Sequence, residues 1–368
     1  MTMDTRLSPD SFAARVRQTI GTHAMITPGD RILVGISGGP DSVALVRVLM
    51  VLAEEFNLSI VLAHLNHSLR GEESLRDENF VRKFAADLGL SLTVEVRDIK
   101  AIAKAERRSL EEAGRNARYD FFKRTARDGG CRRTALGHHR DDHVEQVLMN
   151  LIRGTGVRGL RGISPVRENH IIRPFIALSK TDILAYLNDI GQDYILDSSN
   201  RDTVFLRNRV RQNLLPLLEE QFNPNIRAGL DRLSQILTLE DDYMAERAQA
   251  LFETLQRNVP DAEDQRSIRL SLDGITACHP SLAFRVIQKA VLAVKKDLRR
   301  ITHTHITDIL ALAKTCETGK HLDLPGQIRV YKEKGLIYIK KERLPLRELG
   351  KCRKKSKRIH GDGRAPKT

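Results

Sequence analysis

The stretch RILVGISGGPDS, at residues 31–42, decides how the first half of this chain folds. Its apolar start, residues 31–36, predicts a short buried strand, and the pattern of residues 41–54 predicts a helix. Between them, glycines let the backbone turn sharply and bring N–H groups close to a phosphate, while the start of the helix adds positive potential. The segment therefore predicts a phosphate-binding loop in which Ser37 and Ser42 supply hydroxyl groups.

This loop differs from a Walker A loop, which ends in Gly-Lys followed by Ser or Thr. No lysine stands at residues 37–42. The sequence therefore indicates a nucleotide loop of another kind, and the alternative is a glycine-rich turn without a ligand. The position between a strand and a helix favours the nucleotide loop.

Short apolar segments alternate with helical patterns between residues 31 and 152. Strands are predicted at residues 31–36, 59–65, 91–96 and 133–137, and helices at 41–54, 80–88, 109–126 and 141–152. This alternation predicts an α/β fold with a doubly wound parallel sheet. Ligands of such sheets bind beyond the carboxyl ends of the strands, so the loops after Ile36, Leu65 and Gly137 should border one crevice.

The segment HHRDDHVEQ, at residues 138–146, places carboxylates just after the fourth predicted strand. Asp142 and Glu145 are three residues apart and share a helix face. Such a pair near a triphosphate suits Mg²⁺, and it equally suits the ammonium groups of an amino acid, so both interpretations stay open. A zinc-protease site is disfavoured, because Arg140 stands where that motif has glutamate.

Three further segments carry basic or amide side chains. They are HLNHSLRG at residues 64–71, RNARY at 115–119, and DSSN at 197–200, which leads into RNRVR at 207–211. Arginine forks suit phosphates, although each segment alone could equally be a surface cluster of ion pairs. The segment GTGVRG at 154–159 follows a helix rather than a strand, so it predicts a flexible substrate loop instead of a dinucleotide site.

Composition limits the class of protein. A net charge of +14 over 368 residues favours a polyanionic partner, although an inert basic surface is the alternative. The four cysteines lie far apart, which indicates neither a zinc site nor a disulfide framework. No signal pattern and no apolar run of about 18 residues is present, so we expect a cytoplasmic protein without a membrane contact.

The sequence changes character near Pro216. Residues 1–216 carry the alternating pattern, whereas residues 217–345 show apolar positions at helical spacing and predict a mostly helical C-terminal domain, with a hairpin at 327–340. Residues 346–368 are basic and nearly free of apolar side chains, so we expect a disordered tail.

Taken together, these segments resemble the tRNA(Ile)-lysidine synthase family in order and spacing. In that resemblance SGGPDS is the PP-loop of the N-type ATP pyrophosphatases, and the N-terminal domain is an adenine nucleotide α-hydrolase-like PP-loop domain. The resemblance implies a ligase that uses ATP to adenylate C2 of the wobble cytidine in the CAU-anticodon tRNA(Ile). The ε-amine of free L-lysine then displaces AMP to give lysidine, and the codon read changes from AUG to AUA.

The resemblance also implies roles for individual residues. Catalysis would involve Asp41, Asp142 and Glu145, and Mg²⁺ would be held by Asp41 and Asp142. ATP would contact Ser37, Gly38, Gly39, Pro40, Asp41, Ser42, His64, Arg118 and His138. The tRNA and lysine would contact Arg115, Asp142, Glu145, Gly154, Asn200, Arg207, Asn208 and Arg211. One departure is Gln146, where the family usually has threonine. The oligomeric state stays open, with a homodimer as one expectation.

Three other functions compete with this one. Thiolation of tRNA uses the same fold, but the enzymes of that class with an iron–sulfur cluster carry CxxC pairs, which this sequence lacks. Ammonia-using synthetases of NAD or GMP need neither a strongly basic surface nor a separate tRNA-contacting domain. A basic RNA-binding protein with an inactive loop is the third alternative, and ATP–pyrophosphate exchange would distinguish it from an enzyme.

Overall fold

The structure, a computed structural model, describes residues 8–69, 71–196, 206–257, 267–314, 320–333 and 335–342. It divides into two compact units, Met1–Thr238 and Leu239–Thr368. The sequence predicted a boundary after residue 216, some twenty residues before this division. The predicted tail at 346–368 lies outside the described residues.

A six-stranded sheet forms the centre of the first unit. Its strands are β1 (Arg31–Gly35), β2 (Ser59–Asn66), β3 (Ser91–Val96), β4 (Arg133–Ala135), β5 (Val166–Arg167) and β6 (Ile171–Ile172). Their order is β3-β2-β1-β4-β6-β5, and only the pair β5–β6 is antiparallel. The predicted α/β fold with a mostly parallel sheet is confirmed. The two short strands β5 and β6 were not predicted.

Helices lie around this sheet. They are α1 (Pro9–Thr22), α2 (Pro40–Phe56), α3 (Glu72–Asp87), α4 (Ile99–Glu106), α5 (Leu110–Asp128), α6 (Arg140–Ile152), α7 (Val157–Leu160), α8 (Lys180–Asp189), α9 (Leu206–Arg209) and α10 (Leu215–Gln221). A π-helical turn, Val210–Leu214, joins α9 to α10. The long helix α11 (Ile226–Arg257) follows.

Both faces of the sheet are buried, which explains why β1 reads as a continuous apolar run. Ile32 and Val34 pack in a cluster with the apolar faces of α1, α2 and α8. Leu33 points to the opposite cluster, where it packs with Phe121 and Phe122 of α5. Because successive side chains of a strand alternate between faces, a strand covered on both sides needs apolar residues at every position.

The second unit has its own core. Three helices, α12 (Leu272–Ala277), α13 (Pro280–Lys295) and α14 (His303–Lys314), accompany an antiparallel sheet of β7 (Ser267–Ser271), β8 (His321–Leu324), β9 (Ile328–Glu333) and β10 (Leu336–Lys341). The strand order is β7-β10-β9-β8, so the predicted hairpin is the central pair of a larger sheet. Within the described ranges, every helix is too short or too polar to cross a bilayer.

Candidate active site

Two serines hold the loop between β1 and α2 in shape through hydrogen bonds within the loop. The Ser37 N–H donates to Ser42 Oγ at 3.1 Å, and Ser42 Oγ donates to the Gly39 carbonyl at 2.9 Å. Gly38 has a φ of +87°, a conformation that favours glycine, and an added Cβ would lie 3.1 Å from Ile195 Cδ1. Helix α2 begins at Pro40 without a side-chain cap, so the positive end of the helix faces the loop.

The loop after β4 approaches the start of α2 closely. A Cβ on Gly137 would lie only 2.9 Å from the Asp41 carbonyl oxygen, so the close contact requires glycine there. Further along, His139 Nε2 lies 3.8 Å from Asp41 Oδ1. The loops after β1 and β4, which the sequence predicted to border one crevice, are therefore in direct contact.

A third helix start meets the same point. Lys180, the first residue of α8, donates from Nζ to Asp41 Oδ1 at 2.6 Å and from its backbone N–H to Asp141 Oδ2 at 2.8 Å. No sequence pattern indicated Lys180, because the strand before it, β6, is only two residues long. One signal could have found it: Ser179 and Asp182 form a capping box, a pattern that marks a helix start.

His139 lies among three carboxylates. It is only 2% exposed, and its ring nitrogens lie within 4 Å of Asp41, Asp141 and Asp142. Burial alone lowers the pKa of His139, but the carboxylates, Asp141 foremost, raise it overall. Burial likewise opposes ionisation of Asp141, yet the neighbouring His139 ring and a hydrogen bond from the Lys180 N–H bring its pKa below the usual range.

The zinc interpretation of His139 and His143 fails on geometry. His143 Nε2 hydrogen-bonds Ser234 Oγ at 2.9 Å, and its Nδ1 accepts the Ile163 N–H at 3.0 Å. His143 therefore links α6 to Ile163 and to Ser234 on α11. In the part of the chain that the structure describes, no group of three or more His, Cys, Asp or Glu residues is arranged to hold a metal ion.

Asp142 and Glu145 form a buried carboxylate pair on one face of α6. Their exposures are 8% and 1%. Arg207 donates to Glu145 at 2.8 Å and to Asp142 at 2.6 Å, and Arg211 donates to the same two residues at 2.5 and 3.3 Å. Burial raises the pKa of Asp142, but the positive charges of His139 and Arg207 lower it overall, so the carboxylate is ionised.

A basic cavity of about 270 Å³ lies beside this pair. Four arginines line it, Arg115, Arg118, Arg173 and Arg207, together with Tyr119 and His138. The Arg115 guanidinium lies 5.8 Å from the centre of the Tyr119 ring. Four guanidinium groups beside an aromatic ring suit a ligand that combines a phosphate group with a planar base.

Burial determines the charge of His138 in this cavity. It lowers the pKa of His138 to about 3, and the neighbouring Arg173 and Arg118 act in the same direction as burial. Arg173, which is nearly buried, donates from Nε to His138 Nδ1 at 3.3 Å. No sequence pattern indicated Arg173 either, because it follows the two-residue strand β6.

The structure brings most of the predicted site residues together. His64 supports the loop, since its Nδ1 hydrogen-bonds the Ile36 carbonyl at 2.9 Å. Gly154 follows the C-terminal end of α6, whereas Asp142 and Glu145 lie near its N-terminal end. Asn208 lies on α9 between the two arginines. Asn200 lies outside the described residues.

Comparison with known proteins identifies the family. The PP-loop domain matches residues 10–218. A tRNA(Ile)-lysidine synthase of Clostridioides difficile is 33% identical over 91% of this chain and 72% of its own length. Another, from Geobacter sulfurreducens, is 40% identical over 88% of this chain and 68% of its own. The chain belongs to the tRNA(Ile)-lysidine synthase family.

A solved structure agrees with the fold of this lysidine synthase family member. The U34-tRNA thiolase NcsA from Methanococcus maripaludis, with its [4Fe-4S] cluster, superimposes with a TM-score of 0.52 over 62% of this chain and 79% of its own. It is 18% identical in sequence, so the likeness concerns the fold alone. The predicted resemblance to the lysidine synthase family is confirmed by the sequence relatives.

The low pKa of His138 makes stability depend on pH. The folded protein keeps His138 neutral down to about pH 3, whereas the unfolded chain binds a proton near pH 6.5. Stability from this residue is therefore lost as pH falls from 6.5 towards 3. When the pH falls from 7 to 5, we expect the free energy of unfolding of His138→Gln to decrease by roughly 2 kcal/mol less than that of the unchanged protein.

Urea unfolding at the two pH values, followed by circular dichroism, measures this difference. His321→Gln is the matched control, because that histidine lies on the surface of β8. It should keep the pH dependence of the unchanged protein. If His138→Gln keeps it as well, the buried histidine is not neutral.

Proposed function

We propose that this chain is the ATP-dependent ligase that attaches L-lysine to C2 of the wobble cytidine of the CAU-anticodon tRNA(Ile), forming lysidine. One observation supports the proposal beyond family membership: the glycine-rich loop, the arginine-lined cavity and the buried carboxylate pair lie next to one another. The loop suits the phosphates of ATP, the cavity suits a nucleotide of the tRNA, and the carboxylate pair suits a cationic amino acid. The product reads AUA instead of AUG.

The first half of the reaction activates the base. The C2 oxygen of cytidine forms a bond to the α-phosphorus of ATP, the bond from that phosphorus to the bridging oxygen breaks, and the electron pair leaves with pyrophosphate. A neutral cytosine C2 resists attack by an amine, so this adenylation supplies the leaving group. We assign ATP binding to the loop residues and to three residues nearby: Ser37, Gly38, Gly39, Pro40, Asp41, Ser42, His64, Arg118 and His138.

The loop can supply what the triphosphate needs. Its backbone N–H groups and the uncapped start of α2 favour negative charge, and both are fixed before a ligand arrives. Arg118 is partly buried in the wall of the cavity, and burial lowers the pKa of its guanidinium. A phosphate oxygen would compensate that buried positive charge, which supports a role for Arg118 at the nucleotide.

Mg²⁺ would neutralise charge on the triphosphate, and the two proposed ligands differ in how well they fit it. Both Asp142 oxygens already accept hydrogen bonds, Oδ1 from Arg207 and Arg211 and Oδ2 from the His139 N–H. Asp41 has an exposed fraction of 31% in its side chain and accepts from Lys180. Because Mg²⁺ commonly uses one carboxylate with phosphate oxygens and water, Asp41 fits it better than Asp142 does.

The second half of the reaction transfers lysine. The ε-amine forms a bond to C2, gives up a proton, and the bond from C2 to the AMP oxygen breaks. Asp142 and Glu145 are the residues that we expect to hold an ammonium group, and Arg207 and Arg211 suit the lysine carboxylate. The two arginines pair with these carboxylates, so a lysine ammonium has to displace or join them.

The remaining contacts would belong to the tRNA. Arg115 lies in the cavity above Tyr119, where it can meet a phosphate or stack on a base. We include Gly154, Asn200 and Asn208 among the tRNA contacts on the family resemblance. A net charge of +14 supports binding to the tRNA backbone. Because tRNA and free lysine meet in the cytoplasm, we assign the reaction to that compartment.

The direct test is product analysis. The full chain is incubated with ATP, labelled lysine and a transcript of the CAU-anticodon tRNA, and the digested nucleosides are separated by mass. We expect lysine in the wobble cytidine and none in a transcript whose wobble base is uridine. If ammonia or sulfide supports product formation and lysine does not, the assignment to lysidine synthesis is wrong.

The carboxylate pair gives a second prediction. We expect Glu145→Gln to reduce lysine transfer by about 10- to 100-fold, because a charge-assisted hydrogen bond to a cation contributes roughly 1.5–3 kcal/mol. Binding of tRNA should change less than about two-fold, since the phosphate backbone dominates that affinity. Single-turnover lysine transfer and filter binding measure the two quantities.

Glu95→Gln is the matched control. Glu95 also pairs with two arginines, Arg97 and Arg124, but it lies on β3 and outside the cavity. It should leave both quantities unchanged. An equal loss of lysine transfer and tRNA binding in Glu145→Gln would count against a lysine site at this pair.

A further inference from the structure

Lys180 stands at the phosphate loop although it belongs to a distant part of the chain. Its Nζ donates to Asp41 Oδ1 at 2.6 Å, and Asp41 is itself part of the loop. The side chains of Lys180 and Asp41 are 35% and 31% exposed, so both remain accessible to a ligand. The loop sequence has no lysine of its own, and the fold brings one to it.

The backbone around Lys180 is firmly held. Its N–H donates to Asp141 Oδ2 at 2.8 Å, and Ser179 and Asp182 cap the start of α8. The segment before α8 is fixed as well, because the Arg140 N–H donates to the Leu178 carbonyl at 2.8 Å and Phe175 is fully buried. A partly exposed lysine side chain therefore extends from a firmly held backbone.

An ordinary surface ion pair explains this arrangement poorly. Exposed pairs add little to stability and need no such anchoring. Here the helix starts of α2, α6 and α8 converge, which favours negative charge at the point where they meet. Asp41 and Asp141 provide negative charge there. A triphosphate at the loop would bring several more negative charges within reach of the same ammonium group.

The ammonium group of lysine can serve two partners at once. It has three N–H donors, and the contact with Asp41 uses one of them. The flexible four-carbon side chain lets the other two reach an oxygen beside the loop. We propose that Lys180 is the phosphate-binding cation of the ATP site, holding the β-phosphate through ATP binding and through departure of pyrophosphate.

This inference rests on the proposed function, and it defines one step more closely. When the bond from the α-phosphorus to the bridging oxygen breaks, the electron pair moves onto pyrophosphate. Lys180 keeps its proton and stays cationic, so it lowers the energy of that developing charge. Its contribution is electrostatic, and no bond to lysine forms.

Affinity for the unreactive analogue α,β-methylene-ATP tests the contact without requiring turnover. We expect Lys180→Met to weaken binding about 10- to 100-fold in calorimetric titration of the full chain, and Lys180→Arg to retain most of the affinity. Lys123→Met, on the exposed face of α5, is the control and should bind as the unchanged protein does. Binding of Lys180→Met within two-fold of the unchanged protein would overturn the proposal.

A double-variant comparison separates phosphate contact from support of Asp41. If Lys180 acts only by holding Asp41, its replacement should have no effect once Asp41→Asn has removed that charge. The proposal predicts that Lys180→Met still weakens analogue binding about ten-fold or more in the Asp41→Asn background. Loss of the effect there would overturn it.

Analogue binding and lysidine formation, measured side by side, distinguish this inference from the proposed function. If the unchanged protein binds the analogue but makes no lysidine, the proposed function fails while the Lys180 contact stands or falls on its own titration. If lysidine forms normally and Lys180→Met binds the analogue as tightly as the unchanged protein, only the Lys180 inference fails.

Discussion

The meeting of three helix starts at the carboxyl edge of the parallel sheet is the constraint on which this site depends. Helix α2 follows β1, α6 follows β4, and α8 comes after β6. The N-termini of these three helices therefore lie at the same edge of the sheet. Aligned peptide dipoles and unpaired N–H groups make that place attractive to anions. The close approach of Gly137 to Asp41 and the pairing of Lys180 with Asp41 both follow from this convergence.

Opposite charges compensate one another around this point. His139 sits among Asp41, Asp141 and Asp142, and Lys180 pairs with Asp41. Arg207 and Arg211 pair with Asp142 and Glu145. A buried ion pair adds little to stability, but an unpaired buried charge is costly. Each substrate would therefore exchange one set of partners for another, rather than enter a neutral cavity.

Sequence patterns were sufficient for the parts of the fold that have strong periodicity. Four parallel strands and the helices α2 and α5 between them were predicted, because long apolar runs and glycine-rich turns are local signals. Helix α4 was not predicted, and α3 begins at Glu72, before the predicted start at residue 80. Strands β5 and β6 were missed, since two residues carry no period, and Lys180 and Arg173 were missed with them. The proximity of Lys180 to Asp41 is a tertiary fact that no local pattern contains.

The candidate site shows the same division. Asp142 and Glu145 could be paired from their spacing on α6, and the structure places them on one buried face. The identity of their partners could not be inferred, because Arg207 and Arg211 lie more than sixty residues further along the chain. The basic segments were recognised individually, and only the fold brings Arg115, Arg118 and Arg207 around one cavity.

In the proposed reaction, the adenylyl group passes to a base rather than to water. The most direct measurement is the isotopic composition of the AMP released while lysidine forms in water enriched in oxygen-18. We expect AMP without the heavy isotope, because its additional oxygen comes from C2 of the cytidine. One heavy oxygen in each AMP would mean that water attacks the α-phosphorus, and it would contradict adenylation of the tRNA.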